Sequence, residues 1–314
     1  MTNLRISRCV RLLIVGVVVL VCSAASPPFQ WPDSSKYWRV LVNVNQYIES
    51  RPREWFSQDR LVTDLTVVNV IPGGQGSAAE QYKRVRGLLE SRGMYVGTYV
   101  SGTTVGPEAD QAVYPPASVT LEQMPASAHY VGVWPGEPDR RIIDVSDTPT
   151  RQAVQAGIRR LWESVPAPIR FVDNAAAHQS TGGKQPWTAY CKNMEEIRRM
   201  AESLGSRVIF NISMHTGLLS DDETRQLIQA VGRDNGIALE MPWAPAIRSS
   251  EKFTAIAKMR YRELLDNGLV VIMIPFETPA EQLAAWVRTW RKSTDHIYLS
   301  GIFWKPPETV YTLQ

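Results

Sequence analysis

The sequence predicts an α/β fold, a single-domain (β/α)8 barrel, on three observations. Eight short apolar, β-branched runs alternate with helical patterns along the 314 residues. The runs are continuously apolar rather than alternating in polarity, which is the mark of parallel strands buried on both faces. The chain also lacks the glycine-rich phosphate turn that an open dinucleotide-binding sheet would carry after its first strand, since Val44-Asn45-Gln46-Tyr47 stands there.

The elements follow in order. Arg5, Arg8 and Arg11 precede an apolar run from Leu12 to Val21, and Ser23-Ala24-Ala25 supplies small residues for cleavage, so residues 1–25 read as a signal peptide. The apolar run falls short of the ~20 residues that a membrane span needs. Residues 26–36 are Pro- and Ser-rich and form a spacer. Residues 37–314 are the barrel domain. Its strands are expected at Arg39–Val44, Leu65–Val70, Tyr95–Val100, Ile169–Asp173, Arg207–Ile212, Ile237–Met241, Leu269–Pro275 and Ile297–Trp304. Between the third and fourth lies a long insertion, placed on the barrel rim, in which Gly106–Pro138 is a Pro-rich loop and Arg141–Val145 an extended segment.

Helix punctuation supports the alternation. Thr148-Pro149 opens a helix running to about Val165. Ser220-Asp221-Asp222-Glu223 is a capping box before a helix ending near Gly236, and Thr278-Pro279-Ala280-Glu281 is read as another. Helices around Glu195–Ser203 and Phe253–Asp266 end at Gly205 and Gly268, which suit left-handed caps. Gly73-Gly74-Gln75-Gly76 has no P-loop lysine and reads as a flexible loop.

Charge and cysteine content narrow the function classes. Cleavage after Ala25 removes Arg5, Arg8 and Arg11 and no acid, which accounts for the whole formal charge of +3. The remaining 31 basic and 31 acidic residues give no excess that would attract nucleic acid or an anionic membrane. Cys9 and Cys22 leave with the signal, so Cys191 stands alone as a small buried residue without a disulfide partner. The expected product is a monomer, secreted or periplasmic, free of the membrane after cleavage.

In a barrel, strands deliver polar residues from their C-terminal ends into one shared cup. Those ends give Asn43, Asn45, Asn69, Tyr99, Asp173, Asn174, Asn211, Glu240, Trp243 and Trp304. Asp173 and Glu240 are the catalytic candidates, because each follows a run of apolar residues that would partly desolvate its carboxyl. Asn43, Tyr99, Trp134, Asp144, Asn174, Asn211, Trp243 and Trp304 are the substrate-binding candidates. Asp147 and Glu277 are read as helix-start residues. Trp134, Trp187, Trp243 and Trp304 fall on the rim, where aromatic faces suit the apolar C–H faces of sugar rings. Trp162, Trp286 and Trp290 fall on helices and are read as core. No HExxH, Cys/His spacing or Gly-x-Ser-x-Gly elbow occurs, so no metal or cofactor is expected. His129, His178, His215 and His296 are scattered.

The succession Arg141-Ile142-Ile143-Asp144-Val145-Ser146-Asp147-Thr148-Pro149, a helix, then Phe171-Val172-Asp173-Asn174, resembles a passage of barrel glycosidases. These are similar to the family 114 glycoside hydrolases, the endo-α-1,4-polygalactosaminidases, and related glycosidase-like families. The resemblance implies a catalytic aspartate closing the fourth strand and a glutamate closing the sixth, where Asp173 and Glu240 stand, and an enzyme cleaving a polysaccharide. It further implies Asp173 as nucleophile and Glu240 as acid/base. Two alternatives come from the residues: a non-catalytic carbohydrate-binding barrel with its acids far apart or fixed in ion pairs, and a hydrolase with a metal held by Asp144, Asp173 and Glu240.

Overall fold

A computed structural model describes residues 29–31, 40–42, 65–69, 95–106, 119–176, 185–212, 219–240, 243–275 and 278–299, with helical positions between 80 and 90. Of residues 40–42 and 65–69 only the backbone is described. Trp31–Gln314 form one unit and Met1–Gln30 a second. The expected signal peptide and most of the spacer lie outside the described residues, as do Asn43, Asn45, His178, His215, Glu277, Trp304 and the Gly73–Gly76 loop. No helix among the described residues is long and apolar enough to cross a membrane.

The fold is mixed α/β, organised by one parallel sheet of eight strands: β1 (Val40–Val42), β2 (Leu65–Asn69), β3 (Tyr95–Ser101), β7 (Ile169–Asp173), β8 (Arg207–Asn211), β9 (Gly236–Glu240), β10 (Val270–Ile274) and β11 (Ile297–Leu299). They lie side by side in sequence order, and every neighbouring pair is parallel. All eight expected runs form strands. Ile169–Asp173 matches its expected run, β3 runs one residue further to Ser101, and β9 starts one residue earlier at Gly236.

Both faces of the sheet are buried. Val100, Val172, Val208, Phe210, Leu239 and Met273 pack with helix residues such as Ile158, Trp162, Met194 and Ile197 in one large cluster. The alternate residues Tyr99, Phe171, Ile209, Ala238 and Ile272 are fully buried too, yet stand outside that cluster. Side chains alternate across a strand, so these residues line the opposite face. That second buried face explains why the runs read as continuously apolar.

The helices fit their capping signals unevenly. In α1 (Thr148–Ser164) Asp147 is the N-cap, its carboxylate accepting the Thr150 N–H. Helix α2 (Trp187–Ser203) begins eight residues before the expected Glu195, behind Pro186 and without a side-chain cap, and Gly205 follows it at φ +71. Helix α3 (Asp221–Val231) has the Ser220–Glu223 capping box but ends at Gly232, φ +70, not near Gly236, which opens β9. After α4 (Pro245–Arg248) comes α5 (Glu251–Asp266), followed by Gly268 at φ +80. Helix α6 (Ala280–Arg288) has Pro279 at its N-cap position and no side-chain cap, and the Thr278 hydroxyl donates instead to the Trp243 carbonyl at 2.7 Å.

Between β3 and β7 in sequence the chain forms a three-stranded antiparallel sheet in the order β4 (Thr104–Val105), β6 (Glu137–Ile143), β5 (Tyr130–Trp134). The extended segment expected at Arg141–Val145 is thus the end of a longer strand. Val119 seats this region on α1: a Cβ at Gly157 would come within 2.6 Å of Val119 Cγ2, so only glycine admits that approach.

Candidate active site

Three consecutive strands of the parallel sheet end in Asp173, Asn211 and Glu240. Asp173 lies two residues beyond Phe171, Asn211 two beyond Ile209 and Glu240 two beyond Ala238, so all three share the face opposite the helix-packed cluster. Asn211 sits on the middle strand. Its Nδ2 donates to Asp173 Oδ1 at 2.7 Å and to Glu240 Oε1 at 2.6 Å. The two accepting oxygens can therefore lie no farther apart than those two bonds laid end to end.

Asp173 is surrounded by donors. Oδ1 accepts from the Asn174 N–H at 2.9 Å as well as from Asn211, and Oδ2 accepts from the Tyr99 hydroxyl and from Asn174 Nδ2 at 3.3 Å. Each oxygen takes two hydrogen bonds, and none of these partners carries a charge. Asp173 is 7% exposed. A carboxylate taken this far out of water needs such donors, because an unsatisfied buried charge costs several kcal/mol. Glu240 is half-buried and so has more access to solvent.

The backbone beyond β7 is bent to serve this carboxylate. Asn174 adopts φ +50, a left-handed conformation that asparagine tolerates better than most residues. It brings the Asn174 N–H back onto the neighbouring Asp173 side chain. The turn is pinned by the Thr103 hydroxyl on the Asn174 carbonyl at 2.5 Å, by Gly102 N–H on the Asp173 carbonyl at 2.8 Å and by Ala175 N–H on the Asn211 carbonyl at 2.9 Å. Thr103 carried no signal in sequence, since its partner lies 71 residues away.

Tyr99 and Asn211 are 0% exposed, and their polar groups donate to Asp173 and to Asp173 and Glu240 respectively. Asn174, 4% exposed, likewise spends its amide on Asp173. Asp144 stands in the turn before α1, where Oδ1 accepts the Ser146 N–H at 2.8 Å. Trp243 is half-buried, stacks on Trp286 at 4.9 Å with planes 6° apart, and donates its indole N–H to Thr254. Trp134 lies in β5, packs against the core and carries the Arg140 guanidinium 4.8 Å from its ring centre. Trp187 opens a helix rather than lying in a loop, its indole N–H on the Glu223 carbonyl at 3.0 Å. Trp162, Trp286 and Trp290 are buried.

Among the described residues no three His, Cys, Asp or Glu side chains converge as metal ligands. One oxygen of Asp173 and one of Glu240 accept from the Asn211 amide. Burial pushes the Cys191 thiol up to about 12, aided by the nearby Glu223 charge, so it is no nucleophile at neutral pH.

No protein-family profile matches this sequence, and no curated protein does. Solved structures do. Endo-glycoceramidase II from Rhodococcus sp., captured as a lactosyl-enzyme intermediate, is similar at a TM-score of 0.53 and 13% identity, over 92% of this chain and 79% of that one. Ega3 of Aspergillus fumigatus, in complex with galactosamine, is similar at 0.51 and 10% identity, over 90% and 98%. A maltogenic α-amylase, AmyB of Thermotoga neapolitana, is similar at 0.51 and 11%, over 86% and 68%. These are TIM-barrel enzymes, and at such identities the likeness is one of fold.

Proposed function

We propose that this chain is an exported glycoside hydrolase of a polysaccharide, working with net retention through Asp173 and Glu240 at the mouth of a closed (β/α)8 barrel. The observation that carries the reading is the single amide shared by both carboxyls, at 2.7 and 2.6 Å. The two bonds diverge at about 120° on one nitrogen, so the accepting oxygens lie closer than the bonds' summed length, on the side of the ~5–5.5 Å at which retaining glycosidases hold their carboxyls. Such a separation falls short of the ~6.5–9.5 Å of inverting enzymes, which admit a water between the two groups. The solved structures of similar fold include proteins whose names denote action on glycosides. Closure of the sheet is supported by Trp31, nine residues before β1, which stacks on Tyr298 of β11, the strand at the sheet's other end. Export is supported by the charged, then apolar, then small-residue pattern of residues 1–25.

In this reading Asp173 is the nucleophile. Its four neutral hydrogen bonds suit a carboxylate that must stay an anion, and none of them comes from a cation that would hold it back from carbon. Glu240, nearer solvent, is the acid/base. An Asp173 oxygen bonds to the anomeric carbon as the glycosidic C–O bond breaks, and the leaving oxygen takes the Glu240 proton. Water then gives a proton to Glu240 and its oxygen to the anomeric carbon, and Asp173 departs as carboxylate. A non-catalytic sugar-binding barrel has no use for two carboxyls at this spacing.

The test is incubation of the mature protein with a panel of amino-sugar and neutral polysaccharides, read by new reducing ends and by the anomeric configuration of the first product. Retention supports the proposal; inversion refutes the assigned roles, and no cleavage across the panel counts against the hydrolase. With an active substrate, Glu240→Ala in azide should yield a glycosyl azide of retained configuration.

A further inference from the structure

We propose that Asn211 is a positioning residue that sets the separation of the two carboxyls by giving one amide hydrogen to each; this rests on reading Asp173 and Glu240 as the catalytic pair. A primary amide has two donor hydrogens about 120° apart on one nitrogen. Both are spent here, at 2.7 and 2.6 Å, on the residues that end the strands to either side. Asn211 is fully buried, and the strand end that carries it is held by its main-chain carbonyl, which accepts the Ala175 N–H at 2.9 Å. Asp173, Asn211 and Glu240 thus form one rigid unit spanning three strands.

The residue type matters on chemical grounds. Serine has one hydrogen and would serve one carboxyl at a time. Aspartate has the same shape and no donor. Glutamine carries the nitrogen one methylene farther out. Lysine or arginine could reach both oxygens, but a cation would stabilise both groups as anions and oppose Glu240 in carrying a proton. A neutral amide makes no such demand. It holds both oxygens while Asp173 passes between anion and ester and Glu240 between acid and base, and its own charge never changes.

Asn211→Ala and Asn211→Leu, the second close to asparagine in shape but without a donor, test the clamp by two measurements. In ligand-free crystals the separation of Asp173 Oδ1 from Glu240 Oε1 should be wider in either variant than in the wild type. With an active substrate, kcat should fall about 10²-fold while KM stays within about 3-fold, as expected when reacting groups are misplaced and binding is not. An unchanged separation overturns the proposal even where the glycosidase reading stands. So does a fall in activity that vanishes below the thermal midpoint of a destabilised variant. If the wild type cleaves no glycoside, the crystallographic separation still decides: widening upholds the clamp, and no widening overturns it. Should Asn211→Ala fail to fold, Asn211→Leu carries both measurements.

Discussion

Tyr99 separates positioning from packing at the level of one atom. Its ring stacks on Phe171 at 5.9 Å, and its hydroxyl donates to Asp173 Oδ2. Tyr99→Phe keeps the stack and removes only the donor. A hydrogen bond to a charged group contributes about 1.5–3 kcal/mol, so kcat/KM should fall about 10-fold or more. Steady-state kinetics check this, and an unchanged kcat/KM would count against it. That Asp173, Asn211 and Glu240 close strands was legible in sequence, because polar residues closing apolar runs stand out. That Tyr99 and Asn211 serve the carboxyls was not, since it depends on which neighbour each side chain reaches across the sheet. The packing of the tryptophans is hidden for the same reason: Trp243 reads as a loop residue, and Trp286, 43 positions later, stacks on its ring.

Elements were legible to the extent that their signals are local. Every parallel strand was found, since burial on both faces writes an unbroken β-branched run into the sequence. The start of α2 was missed because Pro186 opens it with no side-chain cap, and the end of α3 because Gly232 and Gly236 compete as stops. What joins elements is less legible still. Arg151 on α1 is 2% exposed; it donates to the Val145 carbonyl at 2.7 Å and to Glu196 of α2 at 2.8 Å. Burial raises the Glu196 carboxyl, but the hydrogen bonds from Arg151 and Gln155 outweigh it and leave the group below its ordinary value. Arg151→Ala strands the Val145 carbonyl and Glu196 together. Breaking a buried pair costs about 3–5 kcal/mol; with Glu196 one-third exposed, about 2–3 kcal/mol is expected. Glu196→Gln keeps acceptor and shape and should cost less than half as much. Urea denaturation of the two variants decides, and equal losses would mean that the tie is replaceable.

For the whole molecule these shifted groups bound stability on both sides in pH. On the acid side Glu196, Asp147 and Asp266 all lie below their ordinary values through hydrogen bonds to Arg151 and Gln155, to Thr150, and to Lys292 and Arg262. A depressed folded value means the unfolded chain binds protons first. Stability is therefore full above the unfolded values of 4.5 and 3.8 and is lost as pH falls through the lower folded ones. On the alkaline side the sign reverses. The unfolded Cys191 thiol ionises at 9.0 and the folded one at about 12, because burial excludes the thiolate. Above pH 9 the unfolded state sheds a proton that the folded state keeps, so stability falls by about 1.4 kcal/mol per pH unit across that window. Lysines and tyrosines also titrate there, so wild type alone cannot reveal the thiol. Cys191→Ala isolates it. Below pH 9 the variant should differ from wild type by a constant, the loss of one buried sulfur atom. From pH 9 towards 12 wild type should lose ground to the variant steadily, and guanidinium denaturation at each pH measures the gap. A gap that stayed constant to pH 11 would mean that the thiolate is accommodated in the folded core, and that Cys191 lies closer to water than its burial implies.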